Sequence, residues 1–207
     1  MKVNYFDLGL FNGLEIKMMI DILAELGIAD YRAYGFEAHP TYSKECETRY
    51  KENDRVKIYN VAIGSKKGAS KLYLSSNSEG HSIYATKNNI IAGREVATNT
   101  IIFSEWLENN VSDFRDSFNI LKVNIEGAEW DLLKDFDSKD LFKYFGVFCG
   151  SWGDVTKIKE LENIIPEYNE ILERNNIQTY RFTYYRPQFN SDMKGIVKEA
   201  LDEYIKK

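Results

Sequence analysis

Apolar residues recur along this chain in two alternating periods, short extended runs and longer helical stripes. Val3 to Leu8 reads as a first strand, and Gly9 to Gly13 as a glycine turn. Ile16, Met19, Ile20, Leu23 and Leu26 then recur at helical spacing over Leu14 to Leu26, and Gly27 closes that helix. Tyr31 to Glu37 is a second strand that ends in an acid. His39-Pro40 breaks it, and a polar helix runs from Thr41 to about Glu52. Val56 to Ile63 reads as one uninterrupted third strand ending at Gly64. This βαβαβ alternation predicts a parallel sheet with right-handed crossovers.

Further on, Lys66 to Ser75 has the alternation of a hairpin arm, and Val96 to Phe103 that of another extended segment. Ser76 to Ile83 between them is too long and too polar to be a mere connection. Ser104 is expected to cap a short helix over Glu105 to Asn109. Phe118 to Asn124 reads as the fourth central strand, turning through Ile125-Glu126-Gly127 into a helix that contains Ala128 to Leu133. Tyr144 to Cys149 is a fifth strand. Ile158, Leu161, Ile165, Tyr168 and Leu172 form a helical stripe, kinked or split at Pro166. Gln178 to Tyr185 reads as a late strand, and Ser191 as the cap of a final helix with Met193, Ile196, Val197, Ala200, Leu201 and Tyr204 inward. The expected architecture is α/β and Rossmann-like. It has a central, mostly parallel sheet of about seven strands, flanked by helices in one domain over residues 1–207.

Composition narrows the class of function. With 43% hydrophobic and 29% charged residues, 207 residues suffice for a full core. The net charge of −5 argues against a nucleic-acid partner, which requires a basic face. Cys46 and Cys149 lie too far apart to resemble a disulfide framework or a metal knuckle. There is no apolar run long enough to span a membrane and no signal peptide ahead of the first strand, so a soluble, cytoplasmic protein is expected. The first strand begins at about residue 3, as in a compact variant or a module of something larger.

In parallel α/β sheets ligands bind beyond the carboxyl ends of the strands. There the chain places Asp7-x-Gly9-x-x-x-Gly13, Glu37, Asn60-Val61-Ala62, Asn124-x-Glu126-Gly127 and Ser151-Trp152 with Asp154. A dinucleotide turn needs G-x-G-x-x-G, but Gly9-Leu10-Phe11-Asn12-Gly13 lacks the glycine that clears room for pyrophosphate. No P-loop occurs either. The turn suits a ligand without phosphate, with an amino-acid tail at the turn and ribose hydroxyls at Glu37. S-adenosylmethionine fits that description.

The runs Tyr5 to Gly13, Gly35 to Pro40, Asn60 to Gly64, His81-Ser82-Ile83 and Ile120 to Glu129 occur in the order seen in FkbM-type methyltransferases, which this sequence resembles over roughly residues 3 to 134. The resemblance implies a Rossmann-like, S-adenosylmethionine-dependent enzyme that mostly O-methylates sugars, glycans or natural products. It implies cofactor contacts from Asp7, Gly9, Asn12 and Gly13 at the methionyl end, from Glu37 at the ribose, and from Asn60, Val61 and Ala62 around the adenine. Lys122, Asn124, Glu126 and Glu129 would stand near the transferred methyl or the acceptor. The family usually has Asp where this chain has Asn124, and Ala-Asn where it has Leu10-Phe11-Asn12.

The expected activity is O-methyl transfer from S-adenosylmethionine to a sugar or glycan hydroxyl. The alternative is a non-catalytic nucleoside- or glycan-binding module that retains the fold. His81, Lys122, Asn124 and Glu126 are the catalytic candidates. His81, Lys122 and Glu126 are all candidates for the base. Ser82, Glu129, Trp152, Asp154, Tyr185 and Arg186 are the candidates for holding a carbohydrate or other small hydroxylated acceptor. Asn124 with Glu126 could also supply oxygen ligands to Mg²⁺, although ordinary substrate hydrogen bonds account for them equally well.

Overall fold

The computed structural model describes residues 1–180 and 187–206. Strand β1 (Val3–Leu8) leads into helix α1 (Leu14–Glu25), β2 (Tyr31–Phe36), α2 (Pro40–Tyr50) and β3 (Val56–Tyr59). Three strands of a second sheet follow: β4 (Ala62–Ile63), β5 (Gly68–Ser75) and β6 (Ile90–Ile101). The chain then returns through α3 (Phe103–Asn110) to β7 (Phe118–Val123), α4 (Glu129–Ser138) and β8 (Phe145–Gly150). It finishes with α5 (Ile165–Arg174), the two-residue β9 (Thr179–Tyr180) and α6 (Pro187–Ile205).

The central sheet has the order β3-β2-β1-β7-β8-β9, and every pairing in it is parallel. It contains six strands among the described residues, against the seven or so expected. The late strand is described only over Thr179–Tyr180, and residues 181–186 lie outside the described residues. The order reverses between β1 and β7, which makes their carboxyl ends the switch point where such sheets bind ligands.

Strand alternation explains the two cores. Val3 and Tyr5 face one side with Ile120, Val147 and Cys149, covered by Ile16, Met19 and Leu23 of α1 and by Met193, Val197 and Leu201 of α6. Phe6 and Leu8 face the other with Phe36, Leu121 and Val123, covered by Phe103, Leu107, Leu132, Leu133 and Phe136.

Four boundaries differ from expectation, each for a local reason. The third strand is two strands: β3 stops at Tyr59, and β4 pairs with β6 in the other sheet. Asn60 makes the break, its side-chain amide donating to the carbonyls of Glu37 (2.8 Å) and Ala38 (3.2 Å). Ser104 does not cap α3. Asp135 of α4 does so from outside, accepting the Ser104 N–H at 3.0 Å and its hydroxyl at 2.7 Å. Pro166 lies in the first turn of α5, where its missing N–H costs nothing, and the stretch before it is 3₁₀ helix over Asp154–Lys157 and Lys159–Ile164. Helix α6 begins at Pro187, so Ser191 is inside it. Among the described residues no helix is long and apolar enough to cross a membrane.

Candidate functional site

A cleft opens at the carboxyl ends of β1, β2, β7 and β8, lined by Gly9, Phe11, Glu15, Glu37, Tyr42, Val61, Ala62, His81, Asn124, Glu126 and Ser151 among others. Its floor is backbone packed on backbone. Gly9 has φ +86°, and a Cβ there would lie 1.8 Å from the carbonyl oxygen of Asn124. Gly150 has φ +100°, and its Cβ would lie 2.1 Å from the carbonyl of Val123. Only glycine fits at either place. The N–H groups of Gly9 and Leu10 both donate to the Phe36 carbonyl (3.0 and 3.1 Å), which hooks the first turn onto the end of β2.

Glu37 stands beside that hook. Its carboxylate accepts the Phe11 N–H at 2.7 Å and the His39 N–H at 2.8 Å, while burial pushes its pKa up. Phe11 reaches this position with φ +47°, and its ring packs edge-on to Tyr42 at 5.0 Å. The first turn thus places a ring at the mouth of the cleft. Asn12 and Gly13 start α1: Asn12 Oδ1 accepts the Leu14 N–H at 3.0 Å, and Gly13 occupies the position before the helix with φ +72°.

Beneath the turn, Lys122 lies between two carboxylates. Its ammonium is 2.9 Å from Asp7 and 2.6 Å from Glu15, and it donates to the Gly9 carbonyl at 2.7 Å. Lys122 and Asp7 are both fully buried. Burial alone would lower the Lys122 pKa, but the two acids outweigh it and hold the ammonium charged. Burial raises the Asp7 pKa against the pull of Lys122. The triad fixes the turn from below, and neither Asp7 nor Lys122 lines the cleft.

The long polar loop forms the roof. His81 lines the cleft, and its Nδ1 accepts the Ser75 N–H at 3.1 Å. Neutral imidazole with an accepting Nδ1 must carry its hydrogen on Nε2. Burial first, then His39 and Lys87, lowers the His81 pKa, so the ring is neutral at physiological pH. His81 therefore offers its other nitrogen as a donor. Ser82 is buried and donates its hydroxyl to the Glu126 carbonyl at 2.7 Å, which joins the roof to the turn after β7.

Glu126 sits in that turn with φ +57° and lines the cleft. Its carboxylate pairs with buried Lys87, whose ammonium also lies 3.8 Å from Asp154. Burial and the neighbouring Asp154 raise the Glu126 pKa to about 7. Asp154 is lowered instead: its own burial is overcome by the hydrogen bond from Glu126 and by Lys157 at 2.6 Å and Lys87. Of this pair, Glu126 is the one that titrates near neutrality and faces the cleft.

Two comparisons with known proteins now bear on the chain. The profile of the Methyltransferase FkbM domain matches residues 22–182. The chain belongs to the FkbM methyltransferase family. A crystal structure of methyltransferase FkbM from Methylobacillus flagellatus KT is similar at a TM-score of 0.43 and 13% identity, over 82% of this chain and 36% of that one. The chain thus spans about a third of the length of that protein. No curated protein matches it.

The residues expected to form the site separate into those that face the cleft and those that build it. Gly9, Glu37, Val61, Ala62, His81, Asn124 and Glu126 line it. Asp7, Asn12, Gly13, Asn60, Ser82 and Lys122 act one layer back, in the contacts described above. Glu129 is fully buried, its carboxylate accepting the N–H groups of Ile125 (3.1 Å) and Gly127 (2.7 Å). Burial, then Asp154, raises its pKa to about 8. Trp152 belongs to the core, its indole N–H donating to the Cys149 carbonyl at 3.0 Å. Tyr185 and Arg186 lie outside the described residues.

Among the described residues no group of three or more His, Cys, Asp or Glu side chains is arranged to hold a metal ion. Glu126, which with Asn124 could have supplied oxygen ligands to Mg²⁺, pairs instead with the Lys87 ammonium. These residues do not fit the Mg²⁺ site.

Sequence reasoning marked Phe11 only as a departure in the first turn, and passed over Glu15, Tyr42 and Lys87. Glu15 lies at helical position two after the turn, where an acid reads as ordinary helix-dipole chemistry. Lys87 lies in a polar loop, where a lysine carries no signal of burial.

Proposed function

We propose that the chain, as one methyltransferase domain over residues 1–207, transfers a methyl group from S-adenosylmethionine to a hydroxyl of a sugar or glycan. One observation carries the cofactor reading. The described lining of the cleft includes four acids, Glu15, Glu37, Glu79 and Glu126, and neither Lys nor Arg. Lys122 and Lys87 balance Glu15 and Glu126 from behind, and Glu37 and Glu79 remain to favour a ligand with positive charge and no phosphate. The acidic and apolar parts of the cleft divide accordingly. Phe36, Val61, Ala62, Ile63, Leu72 and Ile83 supply apolar surface for a base, and Glu37 keeps acceptor capacity for ribose hydroxyls beyond its two backbone donors.

When bound, the cofactor supplies an electrophilic methyl carbon. The work of the chain is to align an acceptor oxygen with that carbon, exclude water and take the departing proton. Of the three candidate bases, Lys122 is committed to Asp7 and Glu15 beneath the turn. His81 offers a donor rather than a lone pair. Glu126 is also paired, with Lys87, but it faces the cleft and burial with Asp154 raises its pKa to about 7, so we assign it the role of proton acceptor. His81 Nε2–H would orient an oxygen of the ligand.

Calorimetry with S-adenosylmethionine and S-adenosylhomocysteine tests the cofactor reading, and absence of binding by either sinks it. Radiolabelled methyl transfer to a panel of neutral sugars tests the rest. A second reading rests on Asn124, an amide in the cleft where the family usually has an acid: a binding module that keeps the fold without catalysis. Binding without transfer to any hydroxylated acceptor favours that module.

A further inference from the structure

Lys87 is buried in the roof, and the proposed reaction gives it no task of its own. Its side chain is 1% exposed although it comes from a loop. Burying an ammonium costs several kcal/mol unless its partners are well placed. Here three chain segments converge on it. It donates to the Gly80 carbonyl at 3.0 Å, pairs with Glu126 in the turn after β7, and stands 3.8 Å from Asp154 in the segment after β8. Its own backbone is pinned as well, bridging to Ile158, while the Asn88 N–H donates to the Lys157 carbonyl at 3.1 Å.

The partners matter because of what adjoins them. Gly80 immediately precedes His81, the residue whose ring faces the cleft from the roof. Glu126 faces the cleft from the turn below. We propose that Lys87 is a positioning residue: by gripping the Gly80 carbonyl and the Glu126 carboxylate at once, it sets the imidazole of His81 and the carboxylate of Glu126 toward one point of the cleft. It touches no ligand itself. Ser82 makes the parallel tie through the Glu126 backbone, so roof and turn are joined by two contacts, one to the main chain and one to the side chain. The Ser82 tie fixes where the turn lies. The Lys87 tie fixes where its carboxylate points. Removal of the ammonium frees the carboxylate and lets Gly80 move, and the Ser75 to His81 hydrogen bond loses its fixed geometry.

This proposal rests on the methyltransferase reading for its purpose, but its test needs no acceptor. The chain has only two histidines, His39 and His81, so ¹⁵N-histidine labelling of the full chain gives a readable spectrum. At a pH where both rings are neutral, native His81 should show an unprotonated Nδ1 and a protonated Nε2. Lys87→Met should turn this into an averaged tautomer pattern with the far-ultraviolet circular dichroism unchanged, and Lys87→Arg should restore the fixed pattern. A fixed native tautomer in Lys87→Met overturns the proposal. Should Lys87→Met fail to fold, acylation of lysines on the native protein decides: Lys87 should react at least ten-fold more slowly than exposed Lys17, and equal reactivity overturns the placement. Titration of the native protein with S-adenosylhomocysteine reports separately on the methyltransferase reading. Failure there leaves the His81 result standing.

Discussion

The Phe11 backbone N–H donates to the Glu37 carboxylate at 2.7 Å, across the gap between the first turn and the end of β2. This bond and the partner bond from His39 give one acid two tasks, closing the turn and facing the cleft. Glu37→Ala should weaken binding of S-adenosylhomocysteine ten-fold or more, a loss of about 1.4 kcal/mol or greater. Glu37→Gln should fall between, because one of its two atoms would point an N–H at an N–H. Calorimetry reads both, and unchanged affinity in Glu37→Ala removes Glu37 from the site.

Lys122 stabilises the same turn from beneath. Lys122→Met leaves the Asp7 carboxylate buried without its cation, and loss of one partner of a buried pair costs about 3–5 kcal/mol. The double variant Asp7→Asn with Lys122→Met should lose less than the sum of the two single changes. Denaturant midpoints measure this, and additive losses show that the two residues are not coupled.

Glu126 sets an expected pH dependence with opposite signs for activity and stability. As the base it must be deprotonated, so methyl transfer should rise with pH through about 7. Its folded pKa is raised from an ordinary value of 4.5, so the native protein holds this proton more tightly than the unfolded chain. The stability it contributes is fully present below about 4.5 and is lost as pH rises toward about 7. Glu126→Gln should flatten both profiles. A rate profile that still turns near neutrality in that variant places the base elsewhere.

The Lys87 ammonium occupies the charge that a Mg²⁺ ion would otherwise use. Binding of S-adenosylhomocysteine and methyl transfer should both survive EDTA. Loss of either, restored by Mg²⁺ alone, would contradict the fit described for Glu126.

Much of the scaffold was legible because short-range chemistry decides it. The first turn, α1 and β7 follow from glycine placement and apolar period, and their backbones meet as expected at the switch point. The break at Asn60 was not legible, because Tyr59, Val61 and Ile63 carry the apolar pattern across it. What divides β3 from β4 is a side-chain amide reaching two carbonyls from the end of β2, a contact between distant parts of the chain. The same limit hid the site's inner layer. Lys122 in a strand motif looks like a catalytic lysine until Asp7 and Glu15 are seen around it. Lys87 and Glu126 are 39 residues apart, and nothing local marks them as a pair. Trp152 next to glycine and acid suggested a sugar platform, yet its indole is spent on the Cys149 carbonyl.

The switch from β3 to β4 has a consequence for how such a protein can diversify. The floor of the cleft is made by the parallel sheet, and the roof hangs from a separate three-stranded sheet built on β5 and β6. Several residues fasten one to the other: Ser82 and Lys87 to Glu126, Thr98 to the Ala38 carbonyl at 3.1 Å, Tyr84 to Asp131 at 3.1 Å, Thr86 to Glu160 at 2.8 Å and Asn88 to the Lys157 carbonyl at 3.1 Å. The roof is thus a separate sheet fastened at discrete points. Transplanting the span from β5 to β6 between relatives, with those fastenings and the cofactor-side residues Leu72, Glu79 and Ile83 kept, should carry acceptor preference across.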